Sequence, residues 1–274
     1  NVTMGNDGLK NPRTHYFLLQ YGGNSSKKPD LNFSVWTKFY LYQNAMAMGY
    51  TYNWNTGVRV FKPYSVNGNS VFQAGLDYAT PLDKHKLLTL DTKTRFSATR
   101  SVDLMSVVTT DDYAMGAMPD RSIVHNSYVS EDLKLEYKFP WLRLGLNGYI
   151  LFNRASSDRE DFETQRVWDF HYGPTVKATL PWQVELSTDL SIYSRRGYDD
   201  RGANTNDVVW NARLSKSVPK LGLTFLVDGF DMLHQLSNRS VTMNAQGRTE
   251  VWHNVLPNYV LFHVIYRFSK KPKK

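Results

Sequence analysis

Apolar and polar residues alternate with a period of two along most of this chain. In Leu31 to Gln43, Leu31, Phe33, Val35, Phe39 and Leu41 fall on one side, and Asn32, Ser34, Lys38 and Tyr40 on the other. An extended strand points successive side chains to opposite faces, so this segment predicts a strand with one oily and one wet face. In Lys86 to Val102, Leu88, Leu90, Phe96 and Ala98 oppose Thr89, Asp91, Lys93, Arg95 and Ser97. Val129 to Phe139, Trp141 to Phe152, Trp168 to Leu180 and 182–192 repeat the pattern. Weaker copies cover 12–22, 66–80, 206–217 and 221–230, and the last covers Asn258 to Phe268. No segment carries a convincing 3.6-residue period. The reading is eleven strands of roughly 9–17 residues, against roughly 5–6 for ordinary globular strands.

The connections add a second regularity. Short turns fall at 81–85, around Pro140, around Pro181 and at 217–220, with a somewhat longer one at 23–30. Long polar stretches at 43–65, 103–124, 154–163, 195–205 and 231–256 alternate with them. A tilted strand crosses a bilayer in about 9–11 residues, and bacterial barrels keep one set of turns short and the other long. Backbone groups in hydrocarbon must all be paired, so a spanning sheet closes on itself. The expected fold is therefore all-β: a transmembrane antiparallel up-and-down β-barrel over 1–268, followed by a basic tail at 269–274. A soluble ligand-binding barrel would need about eight much shorter strands. Tyr42, Tyr78, Trp141, Trp168 and Trp182 lie at strand ends, where interfacial aromatics belong. Eleven is an odd count, whereas single-chain bacterial barrels are even. Either 45–54 with 58–63 forms one more hairpin, or a front portion of the barrel is missing. The missing signal peptide and initiator Met favour the second.

Composition narrows the field. The 274 residues carry 33 Lys+Arg and 25 Asp+Glu, a net charge of +8. Lys270, Lys271, Lys273 and Lys274 hold half of that surplus, and Lys27 and Lys28 share one turn. A basic tail and a turn are not a basic face interleaved with stacking aromatics, so no nucleic-acid partner is expected. Mean hydropathy is −0.47, and no apolar run approaches the roughly 18 residues of a spanning helix. With 14 Phe, 17 Tyr and 7 Trp the chain is too aromatic to be disordered. It has no cysteine, which excludes disulfides, Cys-ligated zinc and thiol nucleophiles.

No catalytic constellation emerges. His15, His85, His125, His171, His234, His253 and His263 are scattered, without a metal-ligand spacing. The acidic tips Thr109–Asp112 and Ser157–Asp161 lack the oxygen spacing and glycine of a calcium loop, and Asp199–Gly202 reads as a turn. No nucleophile elbow, P-loop or dinucleotide fingerprint is present. We expect no enzyme activity, no metal and no cofactor. By strand parity Trp36, Lys38, Tyr40, Lys93, Arg95, Tyr149, His171 and Tyr193 line the wet side as candidate substrate contacts. Tyr113, Arg121, Tyr198 and Trp252 fall in predicted outer loops, where they could bind sugars or peptides by stacking and hydrogen bonding.

Several short motifs appear in order. Asn11-Pro12 precedes the first strand, and Thr56-Gly57-Val58-Arg59 is followed by Val66-Asn67-Gly68-Asn69. Leu180-Pro181-Trp182 makes a tight turn, and Leu226-Val227-Asp228-Gly229-Phe230-Asp231-Met232-Leu233 precedes the final loop. Leu256-Pro257-Asn258-Tyr259 leads into Val264-Ile265-Tyr266-Arg267-Phe268. With this order the chain resembles the C-terminal half of a TonB-dependent-receptor-like outer-membrane barrel of the Bacteroidetes type. The resemblance implies a 22-stranded barrel in the outer membrane of a Gram-negative bacterium, importing a glycan, peptide or metal complex. It also implies contact with outer-membrane lipid and lipopolysaccharide, a plug domain and TonB acting through a front portion, and a surface lipoprotein. Neither plug nor TonB box can be identified here, and Ser269 to Lys274 extends past the aromatic that usually ends such barrels. The alternative is a non-transporting barrel serving as scaffold or accessory subunit of a surface complex.

Overall fold

The computed structural model describes residues 1–24, 30–109, 118–199, 201–244, 247–254, 256 and 258–268. It is all-β. Its strands are β1 (Val2–Thr3), β2 (Arg13–Asn24), β3 (Asn32–Gln43), β4 (Ala45–Asn53), β5 (Arg59–Val66), β6 (Asn69–Pro81), β7 (Leu88–Val108) and β8 (Arg121–Lys138). They continue as β9 (Leu142–Ser157), β10 (Gln165–Leu180), β11 (Val184–Arg196), β12 (Asn206–Val218), β13 (Leu223–Phe230), β14 (Arg239–Asn244), β15 (Gly247–Trp252) and β16 (Tyr259–Tyr266). Among the described residues the only helical pieces are three single 3-10 turns.

Fourteen strands form one sheet, and eleven of them make an antiparallel meander in the order β2-β3-β6-β7-β8-β9-β10-β11-β12-β13-β16. These match the eleven strands predicted from the alternation. The further hairpin within 45–63 also exists, as β4 and β5. It does not join the meander as a new member. β4 instead pairs in parallel with the far end of β7, Tyr50 to Asn53 against Met105 to Val108, and β5 pairs in parallel with β1. β7 and β8 are longer than predicted, which shortens the polar stretch read at 103–124. The stretch read as a loop at 231–256 contains the separate hairpin β14–β15.

Each ladder of the meander keeps one register from end to end, so facing residues share a side and the two faces stay distinct across all eleven strands. One face carries Val35, Leu76, Phe96, Leu133, Ile150, Phe170 and Ile192 in adjoining rows. Among the described residues every substantial contact between strands is with a hydrogen-bonded neighbour, so no second layer covers this face. Leu144, Leu146, Trp168, Tyr172, Trp210 and Phe225 are accordingly exposed. Of the strand-end aromatics, Tyr78 and Trp168 lie on this oily side by parity. Tyr42 lies on the other and stacks on Tyr40.

The β10–β11 ladder skips Gly173 and Pro174. Proline has no N–H to give, and a Cβ on Gly173 would fall 1.7 Å from the Leu190 carbonyl oxygen. Backbones therefore approach here more closely than any side chain allows. The meander ends on β2 and β16, each with a single neighbour. Both edges are apolar and exposed, with Leu19 and Tyr21 on β2, and Val260 and Phe262 (80% exposed) on β16.

Buried side chains gather at the end of the sheet with the long connections. Val66, Val102 and Leu104 form a core flanked by Ala45, Ala47 and Tyr64. Val167, Tyr198 and Ala203 form a second.

Candidate functional site

The wet face holds the candidate site, and register assembles it. One row across the sheet reads Asp77, Lys93, Asp132, Tyr149, His171, Tyr193 and Asp207. The next reads Trp36, Gly75, Arg95, Ser130, Leu151, Asp169 and Arg195. Asp77, Lys93 and Asp132 alternate in sign across three strands, so facing neighbours attract.

Two clusters stand out. In the first, the Trp36 indole lies over Gly75, where a Cβ would come 2.4 Å from its Cε2. Glycine is therefore the residue that leaves room for the ring. Lys38 Nζ sits 4.9 Å from the Trp36 ring centre and the Arg95 guanidinium 5.6 Å, both within cation–π range. Arg95 is held by Asp77 and donates to the carbonyls of Leu76 (3.1 Å) and Thr94 (2.9 Å). Tyr40 packs 4.9 Å from Tyr16. In the second cluster His171 lies between Tyr149 (5.3 Å) and Tyr193 (5.1 Å), three rings in line across β9, β10 and β11. Lys93 joins the two through the shared row. Rings beside fixed cations can stack on the flat face of a sugar or aromatic group and hydrogen-bond its hydroxyl or carboxylate groups.

The predicted outer-loop residues do not converge. Arg121 opens β8, and its NH2 donates to the Asn67 carbonyl (2.9 Å). Trp252 is the last residue of β15 and is exposed. Tyr113 lies outside the described residues. Tyr198 is 8% exposed and donates to both oxygens of Asp169 (3.1 and 3.0 Å). Burial, then the adjacent carboxylate, push its phenol up to about 12. Its backbone N–H donates to Asn204 Oδ1, and Asn204 Nδ2 donates back to its carbonyl. Tyr198 is thus a loop anchor. A buried ring cannot stack on a ligand.

A third cluster escaped prediction. The Asp228 side chain, 5% exposed, accepts from both Nε and NH2 of Arg213 and lies 3.1 Å from His263 Nε2. Register joins Arg213 to Asp228 across β12–β13, while His263 reaches in from β16. Through Asp228 the trio ties β12, β13 and β16 together. The signal was present in the Leu226–Leu233 motif, but an Asp in a largely apolar run does not reveal its cross-strand partners.

Among the described residues no three His, Asp or Glu side chains gather as metal ligands. No family model matches the chain, and no curated protein or solved structure shows similarity to it.

Proposed function

We propose that the chain is an outer-membrane β-barrel portion, the C-terminal half of a TonB-dependent-receptor-like transporter, with lipid against the oily face and water against the wet one. The uncovered oily face carries this reading. In water it would leave rows of Leu, Ile, Phe and Trp exposed at about 25 cal/mol for each Å², whereas hydrocarbon solvates them without a second layer. Long strands and alternating connections add support. The nutrient would pass the wet face, meeting Trp36, Lys38 and Arg95 and then the Tyr149–His171–Tyr193 rings.

Two measurements test the proposal. On cell fractionation the protein should appear in the outer-membrane fraction and stay there through a carbonate wash; release into the aqueous phase would refute the location. Deleting the gene should abolish TonB-dependent uptake of at least one member of a panel of glycans, peptides and metal chelates. Unchanged uptake of the whole panel, with loss of a co-purifying surface complex, would favour the scaffold alternative.

A further inference from the structure

On β9, β10 and β11 the oily face ends, on the side nearer the long connections, at arginines. Arg154 on β9 and Arg166 on β10 are directly opposite each other, and Arg196 on β11 faces Trp168, two residues from Arg166 on the same side. All three are exposed. Like charges directly opposed across strands repel, so this arrangement calls for an anion. Among the described residues Arg154 and Arg166 have no carboxylate partner. Arg196 donates to the carbonyls of Arg195 (2.7 Å) and Thr205 (3.1 Å) and to Asn206 Oδ1 (2.7 Å). Those neutral acceptors fix its direction and leave its charge unspent. On the adjoining strands His125 faces Arg100 in the next row on the same side. Two rows from Arg154 on this face lie two carboxylates: Glu131, which accepts from the hydroxyls of Thr92 and Thr94, and Asp158 just past the end of β9, which accepts from the Ile123 N–H (2.7 Å).

Immediately below the arginines, Trp168 and Phe152 pack with ring centres 4.5 Å apart, and beyond them come Ile150, Phe170 and Tyr172. A ligand for this place needs an anionic head at one end and hydrocarbon at the other. We propose that Arg154, Arg166 and Arg196 seat the phosphate groups of an anionic membrane lipid whose acyl chains lie along the oily face beneath. Guanidinium forks suit phosphate oxygens bidentately, and a basic cluster at the end of a lipid-facing surface is placed to meet headgroups. This inference rests on the lipid-facing reading above and adds a ligand class and a site to it.

The test uses the protein extracted from its membrane in neutral detergent, with fluorescent lipid A as probe. Its comparisons are the same lipid stripped of both phosphates, and inorganic phosphate as competitor. Removing two phosphate-seating charges in Arg154→Ser/Arg166→Ser should weaken lipid A binding about thirtyfold. Arg154→Lys/Arg166→Lys should keep much of the affinity. The control Arg143→Ser/Lys177→Ser, which removes an equally opposed cation pair from the wet face, should leave binding unchanged. The dephosphorylated lipid should bind parent and Ser variant equally weakly, and inorganic phosphate should not displace lipid A. Equal lipid A binding by parent and Ser variant would overturn the seat, as would indifference to the phosphates. Displacement by inorganic phosphate at matched concentration would make it a free-anion site instead. A protein that fractionates as aqueous sinks the membrane reading and this one together; a membrane-resident protein without phosphate preference sinks only this one.

Discussion

Strand β7 passes through two different environments. Over Leu88 to Arg100 its oily side is only partly covered, and its neighbours are the meander strands β6 and β8. Over Val102 to Ser106 the same side becomes buried at every second residue, with Leu104 at 0% exposure. The β6 ladder has ended at Arg100, and β4 pairs with β7 from Met105 onward. One alternating pattern thus serves two environments. In the first stretch apolar side chains remain exposed, as the proposed lipid setting requires; in the second they supply their own interior, as in any water-soluble fold. The outer assembly of β1, β5, β4 and the end of β7 is stabilised by close packing, and the meander by its ladders and its surroundings.

That contrast can be broken by one substitution made twice. Leu104→Ala should cost about 2–5 kcal/mol, because a cavity opens in a packed site, and amide exchange in β4 and β5 should accelerate. Leu146→Ala, at a position 47% exposed on the oily face, should cost well under that, since no closed cavity opens there and, on the proposed reading, lipid fills the space. Equal losses would erase the distinction. A charge probes the other side of the comparison. Leu135→Lys should lower membrane insertion by about 2–4 kcal/mol, while Lys134→Leu, one residue away on the wet face, should leave it nearly unchanged in a vesicle-folding assay. Equivalent effects would reverse the assigned facing. Gly173→Ala should destabilise by about 1–3 kcal/mol through overpacking against Leu190, read as a lowered melting temperature of the meander.

The smallest effect belongs to Tyr198. Tyr198→Phe removes its hydrogen bond to Asp169, costing about 1 kcal/mol and loosening 197–205. Because the folded phenol titrates near 12, above its ordinary value of about 10, its stabilising share is intact below pH 10. It is lost as pH rises from 10 through 12. Alkaline unfolding of the parent should therefore steepen in that window, and the Phe variant should lack the component. A Phe variant with the parent's profile would remove Tyr198 from its anchoring role.

The meander was readable from residues alone because period-two alternation is a local property, and strand parity correctly grouped Trp36, Lys38, Arg95, Tyr149, His171 and Tyr193 on one side. Local pattern also had fixed limits. The pairings β1–β5 and β4–β7 are parallel and bring together segments distant in sequence, which no alternation encodes. Ala45, Ala47 and Gly49 gave a weak strand signal because their small side chains suit the crowded core that Tyr64 completes. Clusters depend on register, so the trio at Asp228 and the proximity of His171 to two tyrosines emerged only with the ladders in place. Tyr198 misled for a related reason: an aromatic in a polar loop looks available until its hydroxyl finds a carboxylate. Glu131 sits within an oily row that the alternation skipped over, satisfied by two threonine hydroxyls.

The two margins of the ribbon carry one more constraint. With eleven members alternating up and down, β2 and β16 point the same way. Rolled up alone, the ribbon would have to join them side by side in parallel. Two copies related by an axis along the strands would meet at two such mismatched seams. Only an insert with an odd number of strands can stitch both margins head-to-tail throughout, and its own outermost members must run opposite to β2 and β16.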